Sequence, residues 1–280
     1  MSDRDNDEEE FAPGQKDSVP ERSAWLRLFI IPLLIYIAWL VETFLLGGQA
    51  RIFQSPGATG ILFYTLVTCI VIGLVIPIMY LPRSFRSGAV NMHQIGFRPA
   101  WRTGPIVLVT LIVLLPVSVL FNPFGADRMA FLRVFLLLLP TAIASVMVCF
   151  VLMGTHVQAV MRNGGILPSI SAGVIVTAVL FGFTSLVRSP GLPQQDMLFF
   201  TLCTGVIIAL FFFSVRDIYA TVLLTTVCLV FGIAGQVSLP LLENAAFAVS
   251  IAACLALAFL FGVHVYFSRK YATILVRPSP

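Results

Sequence analysis

The sequence predicts an all-α, polytopic transmembrane helix bundle of about eight spans with both termini in the cytoplasm. Three observations predict it. The 280 residues are 59% hydrophobic and only 11% charged, with a mean hydropathy of +0.98, far from the usual balance of soluble domains. Apolar runs recur at the length a helix needs to cross hydrocarbon about 30 Å thick, roughly 20 residues. The lysines and arginines gather in alternate intervals between those runs, the bias expected of cytoplasmic loops.

The first element, residues 1–24, carries Asp3, Asp5, Asp7, Glu8, Glu9, Glu10, Asp17 and Glu21, eight of the thirteen acids in the chain. Such a stretch reads as a solvated, disordered cytoplasmic tail. A signal peptide begins with positive charge, so no cleaved leader is expected. The transmembrane domain follows over 25–267, with spans near 25–46, 60–81, 105–121, 131–155, 168–187, 197–215, 218–239 and 245–267. The two runs that meet at Arg216-Asp217 count as two, because about 40 residues of one helix would overshoot a bilayer. A short basic cytoplasmic tail, 268–280, ends the chain.

This count places Arg4, Lys16, Arg22, Arg27, Arg83, Arg86, Arg98, Arg102, Arg162, Arg216, Arg269, Lys270 and Arg277 on the inner side. Arg51, Arg128, Arg133 and Arg188 fall on the outer side. The expected location is therefore the cell membrane, multi-pass, with membrane lipids as partners and no nucleic acid. Prolines such as Pro32, Pro77, Pro116 and Pro140 inside spans imply kinks within a packed bundle. Ala248, Ala252 and Ala256 form a small-residue stripe on the last span, suited to close helix approach, and the same face reaches His264. Cys69, Cys149, Cys203, Cys228 and Cys254 all lie in apolar runs without a Cys-x-x-Cys pair, so no disulfide framework or zinc-cysteine site is indicated.

Ionisable groups at membrane depth usually pair or carry function. Here they are Glu42, Arg133, His156 and His264, with Gln158 and Gln236 as neutral company. Glu42 and Arg133 stand at similar depth near the outer side and are expected to form a structural ion pair. His156 and His264, with His93 in the inner loop, are the weak candidates for a metal site, since no carboxylate stands at useful spacing. No phosphate loop, Ser-His-Asp order or His-Glu-x-x-His helix occurs. Nothing in these patterns calls for a cofactor.

The stretch Ile95-Gly96-Phe97-Arg98-Pro99-Ala100-Trp101-Arg102 before a span, and the order of segments over about 95–240, resemble the CPBP family. That family comprises intramembrane CAAX prenyl proteases and Abi-like, bacteriocin-processing proteins. The resemblance implies three motifs, Glu-Glu-x-x-x-Arg, Phe-x-x-x-His and His-x-x-x-Asn/Asp, whose acids and histidines hold a divalent metal in active members. Here the first overlays Met153 and Gly154, with Gln158 in place of the arginine. The second keeps Phe181 and has Ser185 in place of histidine. The third has Thr225 and Leu229. Such side chains cannot hold a divalent cation with useful affinity, and without one water keeps its high pKa.

The leading expectation is thus a degenerate, non-catalytic member, a pseudoprotease acting as a binding or scaffold subunit for a peptide, a lipidated tail or another membrane protein. A divergent intramembrane metalloprotease would have to join His156 and His264 to Glu42 or Glu243, which lie toward opposite sides of the membrane. A transporter or transporter subunit is the third reading; the scarcity of buried charge and the lack of paired broken helices count against ion coupling.

Overall fold

The computed structural model describes residues 22–49, 52–53, 55, 57–86, 90–188 and 194–271. Most of the acidic segment 1–24 and of the basic tail 268–280 lies outside the described residues. Of the described residues 90% are helical, and none lies in a strand. Eight helices are long and apolar enough to cross a membrane: α1 (Phe29–Gly48), α2 (Ala58–Arg86), α3 (Ala100–Leu120), α4 (Arg128–Val160), α5 (Ile166–Arg188), α6 (Leu198–Val215), α7 (Ile218–Gln236) and α8 (Ala246–Lys270). A helix apolar around its whole circumference can bury one face in protein and the other in lipid, and its backbone polar groups are satisfied internally. This is an integral, multi-pass membrane protein.

Several helices outrun their expected limits, α2 as far as Arg86, and at two of them the reason is local. The expected fourth span stopped at Thr155, where polar residues begin; in the structure α4 runs on to Val160, because Thr155 Oγ1 and His156 Nδ1 bond back to the carbonyls of Val151 and Leu152 in the same helix. Polar side chains satisfied one turn back do not end a helix in an apolar setting. α3 begins at Ala100 rather than 105, since Pro99 stands at its N-cap and Pro105 lies inside the helix, where the carbonyl it leaves without a donor is tolerated in a membrane bundle.

α4 is the hub. In its most apolar stretch 89% of the residues are buried, against 22% for the segment that contains α3. It packs on α2, α7 and α8 through Arg128–Ser145 and on α1 and α5 through Val146–Gly154. Close approach is built in: a methyl added at Gly73 of α2 would sit 2.5 Å from the Ala144 Cβ of α4. The Ala248, Ala252 and Ala256 stripe is buried on a helix that packs against α4 and α2. Polar cross-links are few. Thr141 donates to the Tyr64 hydroxyl at 3.5 Å, joining α4 to α2, and the Tyr36 hydroxyl donates to the Leu180 carbonyl at 3.0 Å, joining α1 to α5. Pro77, which cannot donate to the carbonyl one turn back, follows directly on a wide, π-wound stretch, Thr65–Val75, the kind of adjustment that makes proline tolerable in a membrane helix.

The end of the bundle at which α1 begins, here the proximal end, is closed by the segment between α2 and α3. Asn91 caps a one-turn helix, Met92–Ile95, with reciprocal bonds between Asn91 and the Gln94 side chain and His93 backbone. Gly96 then reverses the chain at φ +86°, a conformation that a side chain would strain. Its carbonyl accepts from Ile218 N at 3.3 Å, so this loop is tied to the start of α7.

Candidate functional site

At the opposite, distal end Arg133 forms an ion pair with Glu243, the one such pair among the described residues. The expected partner Glu42 does not reach it. Glu243 lies on Leu239–Asn244, which packs on the first half of α4, whereas α1 packs on the second half and on α5. Both members of the pair are substantially exposed, 34% and 57%. Glu243→Gln is therefore expected to cost no more than about 1 kcal/mol, read as a small shift of the thermal midpoint.

The histidines belong to separate polar groups. His156 Nδ1 meets the Leu152 carbonyl at 2.6 Å and Nε2 meets Ser84 Oγ at 2.7 Å. A carbonyl can only accept, so Nδ1 carries the proton and Nε2 accepts from the serine. Both ring nitrogens are thereby engaged. His264 Nδ1 bonds the Tyr219 hydroxyl at 2.9 Å, and its ring lies between Phe97 and Tyr219, at 5.4 and 5.5 Å. His93 is exposed. Among the described residues no three histidine, cysteine or acidic side chains are grouped as metal ligands.

The family-motif positions are divided among three places. Met153 and Gly154 are buried in α4, and a Cβ on Gly154 would meet Thr177 of α5 and Phe213 of α6. Thr177 lies eight residues before Ser185, about 12 Å of helix rise. Phe181, Ser185 and Leu229 do share a site: they line a cavity of about 20 Å³ between α5, α6 and α7, with Thr201, Thr204 and Arg188. Thr225 is buried, and its hydroxyl is donated to the Thr221 carbonyl at 2.7 Å. Ser185 likewise donates to the Phe181 carbonyl at 2.9 Å. Hydroxyls committed to their own helices, a thioether and a glycine do not fit a hard or borderline divalent cation.

Gln158 has a structural partner instead. Arg216, in the turn between α6 and α7, donates from Nη2 to Gln158 Oε1 at 2.6 Å, from Nη1 to the Gln94 carbonyl at 2.9 Å and from Nε to the Phe213 carbonyl at 3.2 Å. Its guanidinium lies over the Phe213 ring at 4.8 Å, and its backbone takes φ +54°. The next residue, Asp217, caps α7 by accepting from Ala220 N at 3.0 Å. Arg216-Asp217 is thus a true break between two helices and a clasp on the proximal loop. The dipeptide was visible in the sequence as a break; the clasp was not.

Near the distal end a groove of about 400 Å³ lies between α3, α4 and α7. Leu111, Leu115, Phe131, Phe135 and Leu223 make its walls, and Arg128 stands among its lining residues at the first turn of α4. It opens on the outer surface of the bundle, where Leu115 and Leu132 are exposed. Nothing in the polar pattern pointed to it, because apolar groove walls and lipid-facing surface have the same composition. Comparison with known proteins returned no match to a family model, a curated protein or a solved structure.

Proposed function

We propose that this chain is a non-catalytic membrane protein that binds a lipid chain or lipidated tail in the groove between α3, α4 and α7, with the proximal end facing the cytoplasm of the cell membrane. The observation that carries this reading is the groove itself. Its volume, about 400 Å³, falls in the range of ligand pockets, its walls are apolar, and Arg128 supplies a cation where an anionic head group would lie. A bundle of the CPBP kind with its metal ligands replaced is part of the proposal. Phe181, Ser185 and Leu229 line one cavity, which favours it, while Met153, Gly154 and Thr225 are not among the residues lining that cavity, which counts against it. The engagement of both His156 nitrogens within the chain favours a structural over a catalytic histidine.

The test uses the full chain in lipid nanodiscs with an anionic phospholipid whose acyl chain bears a diazirine. After irradiation, adducts are expected on groove residues of α3, α4 and α7 well above those on other lipid-facing helices. Leu115→Trp, which fills the groove from its exposed side, is expected to reduce them several-fold. Uniform labelling of all lipid-facing surfaces, unchanged by Leu115→Trp, would overturn lipid binding there. Stoichiometric zinc with a peptidase activity lost on its removal would overturn the non-catalytic reading.

A further inference from the structure

A second site stands apart from the groove, at the distal ends of α5, α6 and α7. Arg188, the last residue of α5, is 2% exposed, and its Nε and Nη1 have no hydrogen-bond partner. The stem passes Gly47 of α1, where a Cβ would come within 3.3 Å of Arg188 Cγ, and the guanidinium lies 6.0 Å from the Phe53 ring centroid. Among the described residues the one ion pair is Arg133–Glu243, so no carboxylate, Glu42 of α1 included, pairs with it, and Asp127 and Asp217 cap helices. A buried cation with open donors and no counter-charge among the described residues is costly at membrane depth.

The same residue lines the cavity of about 20 Å³, room for one group the size of a water molecule. Ser185, Thr201 and Thr204, all buried, line it too. Ser185 and Thr201 now donate to the carbonyls of Phe181 and Leu198, and a hydroxyl rotor can turn its hydrogen toward an incoming charge. We propose that Arg188 and these hydroxyls form a binding site for a singly charged anionic group, either a free halide or the carboxylate head of an aliphatic chain entering past Phe200 and Gly232. A guanidinium is suited to both, being weakly hydrated and rich in donors. Phosphate and sulfate, with four oxygens around a central atom, exceed the space.

The experiment takes the full-length protein in a non-ionic detergent with sulfate as the only anion and follows the thermal midpoint on adding chloride, or decanoate with decanol as the uncharged control. A saturable rise of about 5 °C at high ligand excess is expected for at least one of the two anions. Chloride alone acting identifies a halide site, and decanoate alone a carboxylate site. Arg188→Gln is expected to abolish the response while being no less stable than the native chain in sulfate, because it removes an uncompensated charge. Thr204→Leu, which fills the cavity and keeps the cation, is expected to abolish it as well. No response of the native chain to either anion, or a native-sized response in Thr204→Leu, overturns the proposal.

Discussion

Replacing Arg216 by methionine is expected to lower stability by about 3 to 5 kcal/mol, the range for breaking a buried charged network from one side, seen as a fall of roughly 10 °C in the thermal midpoint. The substitution leaves the carbonyls of Gln94 and Phe213 and the Gln158 amide oxygen without their donors. It also removes a cation held over two phenylalanine rings, at 4.8 and 5.7 Å. Burial, and next the neighbouring Arg98, pulls the Arg216 pKa down to about 10, so the group is still a cation at neutral pH and the charged bonds are in force there. Arg216→Lys is expected to restore little, since one ammonium cannot span three acceptors lying in different directions. Arg216→Gly separates the backbone from the side chain: it relieves φ +54° but still loses the clasp, and should fall near the methionine variant. A fall no larger than that of Glu243→Gln would show that the clasp is not what holds the proximal loop.

Gly205→Val is expected to be comparably damaging. A Cβ at Gly205 of α6 would lie 2.9 Å from the Ala178 carbonyl oxygen and 3.0 Å from its Cα. These are backbone atoms of α5, so no side chain can swing away and the two helices must separate. Overpacking of this kind costs about 3 kcal/mol, and the same surface carries Gly182 against Leu202, so the strain spreads along the α5–α6 interface. Gly262→Ala is the control. Nothing lies within 4 Å of its would-be Cβ, and alanine is the better helix former, so its midpoint should hold or rise slightly. Thermal unfolding of both variants in one detergent decides it; equal midpoints would mean that α5 and α6 do not pack as closely as described.

The eight spans were readable from sequence, and the packing of one against another was not. Apolar runs alone located eight spans, because hydrocarbon thickness sets helix length without regard to neighbours. Glu42 and Arg133 were expected at similar depth, which suggested a pair, yet the neighbours of each depend on packing between helices far apart in sequence. The same limit hid the Arg216 clasp, which joins residues 94, 158 and 216 from three separate turns. Arg188 was counted as one more outer basic residue, since its lack of a counter-charge becomes visible only when the surrounding helices are assembled. His156 is the instructive opposite. Its bond to the Leu152 carbonyl one turn back lies within its own helix and needs no neighbour to form.

The central position of α4 also governs the order in which the molecule can be completed. Its neighbours α1 and α2 are synthesised before it, and α5, α7 and α8 after it. On leaving the insertion machinery it can therefore cover only part of its surface, and the face that α8 meets is the last to be covered. A chain ending after α7 would present Arg128–Ser145 of the hub to lipid where the alanine stripe of α8 should lie. The final span thus closes on a helix made about a hundred residues earlier.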